Sequence, residues 1–136
     1  FTKGVKLIPN QKYIDIPHGI GGVQFRNSIF HYQYVFKSLV NWQEMAKLTA
    51  ENAAMIFGLS KKGKIEEGFD ADMVLYQELP KAIKIKALND FSKSDINVFE
   101  NQNIQINVQI VIKAGEIVYR EGVFSRKLKQ GRFIEV

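Results

Sequence analysis

From Ile104 to Ile112 the sequence sets an aliphatic residue at every second position: Ile104, Ile106, Val108, Ile110 and Ile112. Gln105, Asn107, Gln109 and Lys113 face the other way. A period of two belongs to a strand, whose successive side chains alternate between faces, so the run predicts a sheet with one buried side. Ala114-Gly115 suits a tight two-residue turn, and Glu116-Ile117-Val118-Tyr119 returns as the hairpin partner. Upstream, Met73-Val74-Leu75-Tyr76 reads as a short buried strand, and Ala82-Ile83-Lys84-Ile85-Lys86 alternates as another. Residues 87–103 are polar and turn-rich, with Phe91, Val98 and Phe99 as isolated anchors.

The first part of the chain has a different texture. Gly4, Pro9, Asn10, Pro17, Gly19, Gly21 and Gly22 make residues 1–22 an extended loop, and long loops inside compact domains are often functional. Val23, Ile29, Phe30, Tyr34, Val35, Leu39 and Val40 then fall at helical spacing, predicting a helix over about 23–38. Asn41 precedes Glu44 by three, the pattern of a capping box, and Met45 and Leu48 form the buried stripe of the helix that follows. Thr49 is placed to cap a short further helix through Ile56-Phe57, which Gly58 ends as a left-handed residue with Leu59 behind it. Helices first and strands afterwards read as α+β, or as parts of two domains that do not share one core.

Composition narrows the chemistry. With no cysteine in 136 residues, the chain has no disulfide scaffold, thiolate zinc site or cysteine nucleophile. No apolar run spans a bilayer, and no leader argues for export, so no membrane partner and a cytoplasmic location are expected. The chain opens on Phe1 in a loop-like run, which reads as the middle of a longer polypeptide. A net charge of +5 permits contact with nucleic acid. The basic clusters Lys61-Lys62-Lys64, Lys81-Lys84-Lys86 and Arg126-Lys127-Lys129-Arg132 are however dispersed, mixed with Glu66, Glu67 and Glu78, and lack interleaved aromatics. A solvated surface is the better reading, with no nucleic-acid partner.

No complete active site can be assembled from the residues alone. His18 and His31 read as a loop histidine and a helix-surface histidine, without the spacing of a zinc site. No serine stands in a nucleophile motif. Gly19-Ile20-Gly21-Gly22 before a helix allows two readings, a flexible approach to the helix or a close backbone approach to a ligand. Asp70-Ala71-Asp72 could pair two carboxylates for acid–base work, but such pairs more often serve turn hydrogen bonds and solvated charge.

Taken in order, these segments resemble the C-terminal region of the cyclic amidohydrolases, the group of hydantoinases, dihydropyrimidinases, allantoinases and dihydroorotases. The resemblance is carried by Asn52-Ala53-Ala54-Met55-Ile56-Phe57-Gly58-Leu59 and by the block from Lys62 to Val74, which contains Gly68-Phe69-Asp70-Ala71-Asp72. It extends to Ile16-Pro17-His18-Gly19-Ile20-Gly21-Gly22-Val23-Gln24-Phe25-Arg26, similar to a Gly-rich substrate loop. Val111 to Gly122 resembles the closing hairpin and Gly131-Arg132-Phe133 the tail.

The resemblance implies the end of a (β/α)8 barrel followed by the C-terminal part of a small β-sandwich. Residues 1–60 would be the last barrel loop and terminal helices, 61–123 sandwich strands and 124–136 a tail. It further implies a hydrolase that opens the C–N amide bond of a ring. In such an enzyme a hydroxide bridging two divalent metals, usually zinc, attacks the amide carbon, and an Asp passes the proton to the leaving nitrogen. The metal ligands and that Asp would precede Phe1, so no catalytic or metal-binding residue is expected in this chain. Its contribution would be Pro17, His18 and Gly19, flanking the substrate through main-chain groups. The partners would be the rest of the polypeptide, a small cyclic amide and further subunits in a homodimer or homotetramer. A second class stands beside it, a catalytically dead relative acting in assembly or interaction.

Overall fold

The alternating run forms the centre of the sheet in the computed structural model of the chain, which describes residues 3–19, 21–86, 91, 92, 96–125, 131, 133 and 134. Ile20, the basic cluster Arg126 to Arg132 and most of the tail lie outside the described residues. Four antiparallel strands stand in the order β1-β2-β3-β4: β1 (Met73–Lys84), β2 (Asn103–Lys113), β3 (Glu116–Arg120) and β4 (Val123–Phe124). The expected hairpin is present. Ala114 and Gly115 both adopt positive φ, 49° and 79°, as a type I′ turn requires. The same solution recurs between β3 and β4, where Glu121 and Gly122 stand at 47° and 91°.

Two expectations for the strands change. Met73–Tyr76 and the segment from Ala82 are not separate strands but belong to one, which ends at Lys84 rather than Lys86, with register shifts between Leu75 and Tyr76 and between Glu78 and Ile83. Pro80 lies in the second interruption, where it has no N–H to give to a ladder, and β1 is an edge strand in this sheet. On β2 the one-sided burial is strongest at the start: Ile104 and Ile106 are buried, whereas Val108, Ile110 and Ile112 are only half-buried.

The helical part contains α1 (Lys3–Lys6), a 3-10 turn at Tyr13–Asp15, and α2 (Arg26–Phe30), which widens into a π turn at His31–Val35. The helix expected over 23–38 is therefore shorter. Val23 is 85% exposed and the N–H of Phe25 bonds the carbonyl of Gly22, a turn rather than a first helical turn. Asn41 caps α3 (Trp42–Ala46) as predicted: its side chain accepts from Glu44 N–H at 2.9 Å, and Glu44 accepts from Asn41 N–H at 2.7 Å. Met45 is buried. Leu48 is 53% exposed, contrary to its place in the expected stripe.

Thr49 caps nothing. It sits in the π segment Lys47–Glu51, which joins α3 to α4 (Asn52–Ile56) without a break, and its hydroxyl donates to the carbonyl of Met45 at 2.8 Å. Gly58 ends the run at φ 66°. Its N–H bonds Met55 O and that of Leu59 bonds Ala54 O, the two bonds of a Schellman motif.

The two halves do share a core, against expectation. Phe25 of the approach to α2 packs with Ile85 and Ile104 of the sheet, and Ile29 and Phe99 close the cluster. Polar bridges reinforce it: Asn27 donates to the Tyr76 hydroxyl at 3.0 Å, and Asn103 to that of Tyr32 at 3.5 Å. That core is small beside the apolar surface left outside it. Met55, Ile56, Phe57 and Ile65 are all exposed.

Candidate functional site

Pro17, His18 and Gly19 lie in sequence in a loop between the 3-10 turn and α2, with Pro17 half-buried and the other two exposed. Three contacts shape it. Gln11 Nε2 donates to Asp15 O at 2.8 Å, the rings of Tyr13 and His18 meet with centroids 5.4 Å apart, and Lys6 Nζ donates to the carbonyl of Gly19. The imidazole of His18 is thus turned onto Tyr13. Among the described residues, no hydrogen bond engages the main-chain N–H or carbonyl of His18.

The glycines of this loop divide into two kinds. Gly19 has φ 87° and open space where a Cβ would stand, so glycine is required there by conformation. At Gly22 a Cβ would fall 2.6 Å from the Phe99 ring, so glycine is required by packing.

His31 was expected on a helix surface and is instead 3% exposed. Its ring lies on Trp42 at a centroid distance of 4.8 Å, and Trp42 lies 6.3 Å from Tyr76. Among the described residues, its buried Nδ1 has no hydrogen-bond partner. Burial pushes the imidazole pKa down, and the charge of Glu78 opposes that shift more weakly. With Trp42, Glu78 and Gln105 it lines a cavity of 580 Å³. Phe25, Ser28 and His31 recur every three residues and are all buried; a stripe counted on aliphatic and aromatic residues alone passes over the last two. A second cavity of 620 Å³, lined by Leu79, Ile83, Val108, Val111 and Tyr119, opens on the sheet. Neither reaches Pro17, His18 or Gly19.

Asp70 and Asp72 serve structure. Lys62 Nζ lies 2.8 Å from Asp70 Oδ2 and also bonds Asp72, and Asp72 Oδ1 accepts the N–H of Ala114 at 2.7 Å. The ion pair, and then the Ala114 bond, hold the Asp72 carboxyl below the usual carboxylate range; the same pair raises Lys62. Lys64 pairs with Glu51 at 3.1 Å. Among the described residues no group of three or more His, Asp or Glu side chains could hold a metal ion. A binuclear centre does not fit these residues.

The chain matches the amidohydrolase family over residues 20–119. It is 33% identical over 135 residues to dihydropyrimidinase-related protein 5 of Mus musculus, covering 98% of this chain and 24% of that protein. It is 32% identical over 136 residues to the dihydropyrimidinase of Rattus norvegicus, covering 98% of this chain and 26% of that one. Among solved structures it superposes on the D-hydantoinase (dihydropyrimidinase) of Thermus sp. with a TM-score of 0.83, at 27% identity, over 92% of this chain and 27% of the other. The chain spans about a quarter of the length of these proteins. The order of segments, the hairpin and the matched region agree on one assignment: the chain belongs to the amidohydrolase family.

Proposed function

We propose that this chain is the C-terminal quarter of a cyclic amidohydrolase, and that it positions a ring amide while the metal chemistry is carried elsewhere in the polypeptide. The observation that carries the reading is coverage. Nearly all of the chain matches a dihydropyrimidinase, yet it accounts for only 26% of that protein. Exposure agrees. The chain presents 10631 Å² to solvent, where a free-standing protein of 15.6 kDa presents about 7,300 Å². Residues 1–60 would belong to the barrel's last loop and helices, 61–123 to sandwich strands and 124–136 to a tail. The complete enzyme would be cytoplasmic and homo-oligomeric, with two divalent metals held by residues outside this chain.

Within that frame, the loop offers main-chain groups. The N–H and carbonyl of His18 form a donor and an acceptor on one residue, the complement of a ring amide's own carbonyl and N–H. The His18 side chain, laid against Tyr13, leaves those groups approachable.

The test is hydrolysis by the full-length polypeptide, supplied with zinc, of dihydrouracil, hydantoin, allantoin and dihydroorotate. Turnover of at least one supports the reading, and turnover of none contradicts it. One observation favours the second reading, a dead relative in assembly or interaction: the 33% match is to a protein named for its relation to dihydropyrimidinase rather than for that activity. A full-length sequence lacking metal-ligating residues and the proton-transferring Asp would decide for it.

A further inference from the structure

We infer that His31 is an acid-sensitive latch: its uncharged ring ties the π turn after α2 to Trp42 of α3, and a proton on that ring loosens the joint together with the segment 36–40 between the two elements. The inference stands apart from the functional reading above. The joint is a circuit of side chains. Asn27 of α2 donates to the Tyr76 hydroxyl on β1 at 3.0 Å, Tyr76 stands 6.3 Å from Trp42, and Trp42 stands 4.8 Å from His31. Among the described residues, no hydrogen bond or ion pair joins 31–35 to 41–46, so that link is made by packing, the ring contact included. The segment between them is tied back to the π turn: Phe36 N–H bonds His31 O at 2.8 Å, and the N–H groups of Leu39 and Val40 both bond Tyr34 O, at 2.9 and 3.3 Å.

Protonation conflicts with this burial. His31 is 3% exposed, and among the described residues its Nδ1 is buried with no partner. A neutral imidazole carries one N–H and an imidazolium two, so the proton adds a charge and a donor to a buried ring with no acceptor at Nδ1. A buried donor or charge left unmet is costly. The surrounding charges do little to offset it. Glu78 of β1 and Glu44 of α3 line the same cavity, but both are exposed, and Glu44 accepts from the N–H of Asn41. β2 brings the uncharged Gln105, and the π turn itself brings Tyr32 and Tyr34. Arg26 is exposed at the opposite end of α2, and Lys37 donates to Gln33. Among the described residues no carboxylate pairs with the imidazole. Burial holds its pKa below the ordinary value, and Glu78 opposes that shift only in part.

Linkage fixes the sign. With the closed-state value depressed, the open state binds the proton first, so the latch is complete above the unperturbed value of 6.5 and weakens as pH falls from there to the closed-state value. One proton of difference raises the open population by at most about tenfold per pH unit. The test is hydrogen exchange at the Phe36, Leu39 and Met45 amides of the full-length protein, with isotope-labelled histidine reporting the charge of the His31 ring. Protection factors should fall roughly three- to tenfold between about pH 6.5 and about pH 5.5. His31→Phe keeps a ring against Trp42 and takes no proton, so its protection should stay level over that range. His18→Phe, at an exposed position, should behave as the wild type. The ring signal decides on the wild type alone, should His31→Phe fail to fold: less than half of His31 should be protonated at about pH 6. More than half protonated there, or equal losses of protection in wild type and His31→Phe, overturns the inference.

Discussion

Two glycine-bearing turns, residues 16–22 and residues 61–72, differ in charge and, among the described residues, in hydrogen bonding. In the second, nearly every turn has a partner. Asp70 N–H bonds Lys61 O, Gly115 N–H bonds Ala71 O, Lys62 ties both aspartates, and Asp72 receives Ala114. In the first, the exposed residues His18 and Gly19 keep their shape through one ring contact and one lysine. A saturated turn has no groups to lend a ligand, whereas an unsaturated, exposed one has. Charge favours the opposite assignment, since the acidic turn looks more chemical on paper.

The largest effect should come from the saturated turn. At Gly63 a Cβ would stand 2.8 Å from that of Ala54 and 3.0 Å from the carbonyl of Ala50, and φ is 86°. Gly63→Ala should therefore cost about 2–4 kcal/mol in the full-length protein by denaturant unfolding, combining left-handed strain with overpacking. Gly68→Ala, with a similar φ of 90° and open space, should cost only about 1–2 kcal/mol. Equal losses at the two would show that packing on the α3–α4 helix is not what Gly63 serves.

The unsaturated turn should answer in activity. Gly19→Val sets a branched side chain at φ 87° beside the main-chain groups assigned to the substrate. It should lower kcat/KM by more than about 30-fold, roughly 2 kcal/mol of transition-state stabilisation. Unchanged kcat/KM would remove this loop from the site.

Asp72→Ala should cost about 1–2 kcal/mol of stability, through the lost hairpin bond and ion pair. Its pH signature has a definite sign. A carboxyl whose folded pKa lies below its unfolded value contributes fully above about 3.9 and loses that contribution as pH falls through the folded value. Lys62, raised in the fold, contributes below its unfolded value near 10.4 and loses this as pH rises through the folded one. Thermal melts should show the wild type losing its advantage over Asp72→Ala in acid; a constant gap would mean the carboxylate's charge is irrelevant. His18→Ala should have the smallest effect, within about tenfold or roughly 1.4 kcal/mol in kcat/KM, because the side chain stands aside. A loss of metal from that variant would contradict the main-chain role.

What the sequence disclosed was local. The Ile104–Ile112 alternation, the Ala114-Gly115 turn, the Asn41–Glu44 box and the Gly58 stop each depend on residues within a few positions of one another. What it concealed depends on distance or on what covers a face. Val23, Leu39 and Leu48 have the right spacing for a buried stripe, yet they stand 85%, 67% and 53% exposed. His31 was misjudged because the side of a helix that buries a histidine is set by Trp42 and the sheet, not by its own neighbours. The Lys6–Gly19 bond joins residues that no periodicity relates. The shared core likewise joins Phe25 to Ile85 and Ile104 across the chain.

The most direct measurement sets the isolated 136-residue chain beside the full-length polypeptide, both supplied with zinc, and reads ring opening of dihydrouracil and hydantoin together with bound metal. The account predicts metal uptake and turnover by the full-length protein and neither by the isolated chain. Turnover by the isolated chain would contradict it, because the chemistry would then reside in residues to which only positioning has been assigned.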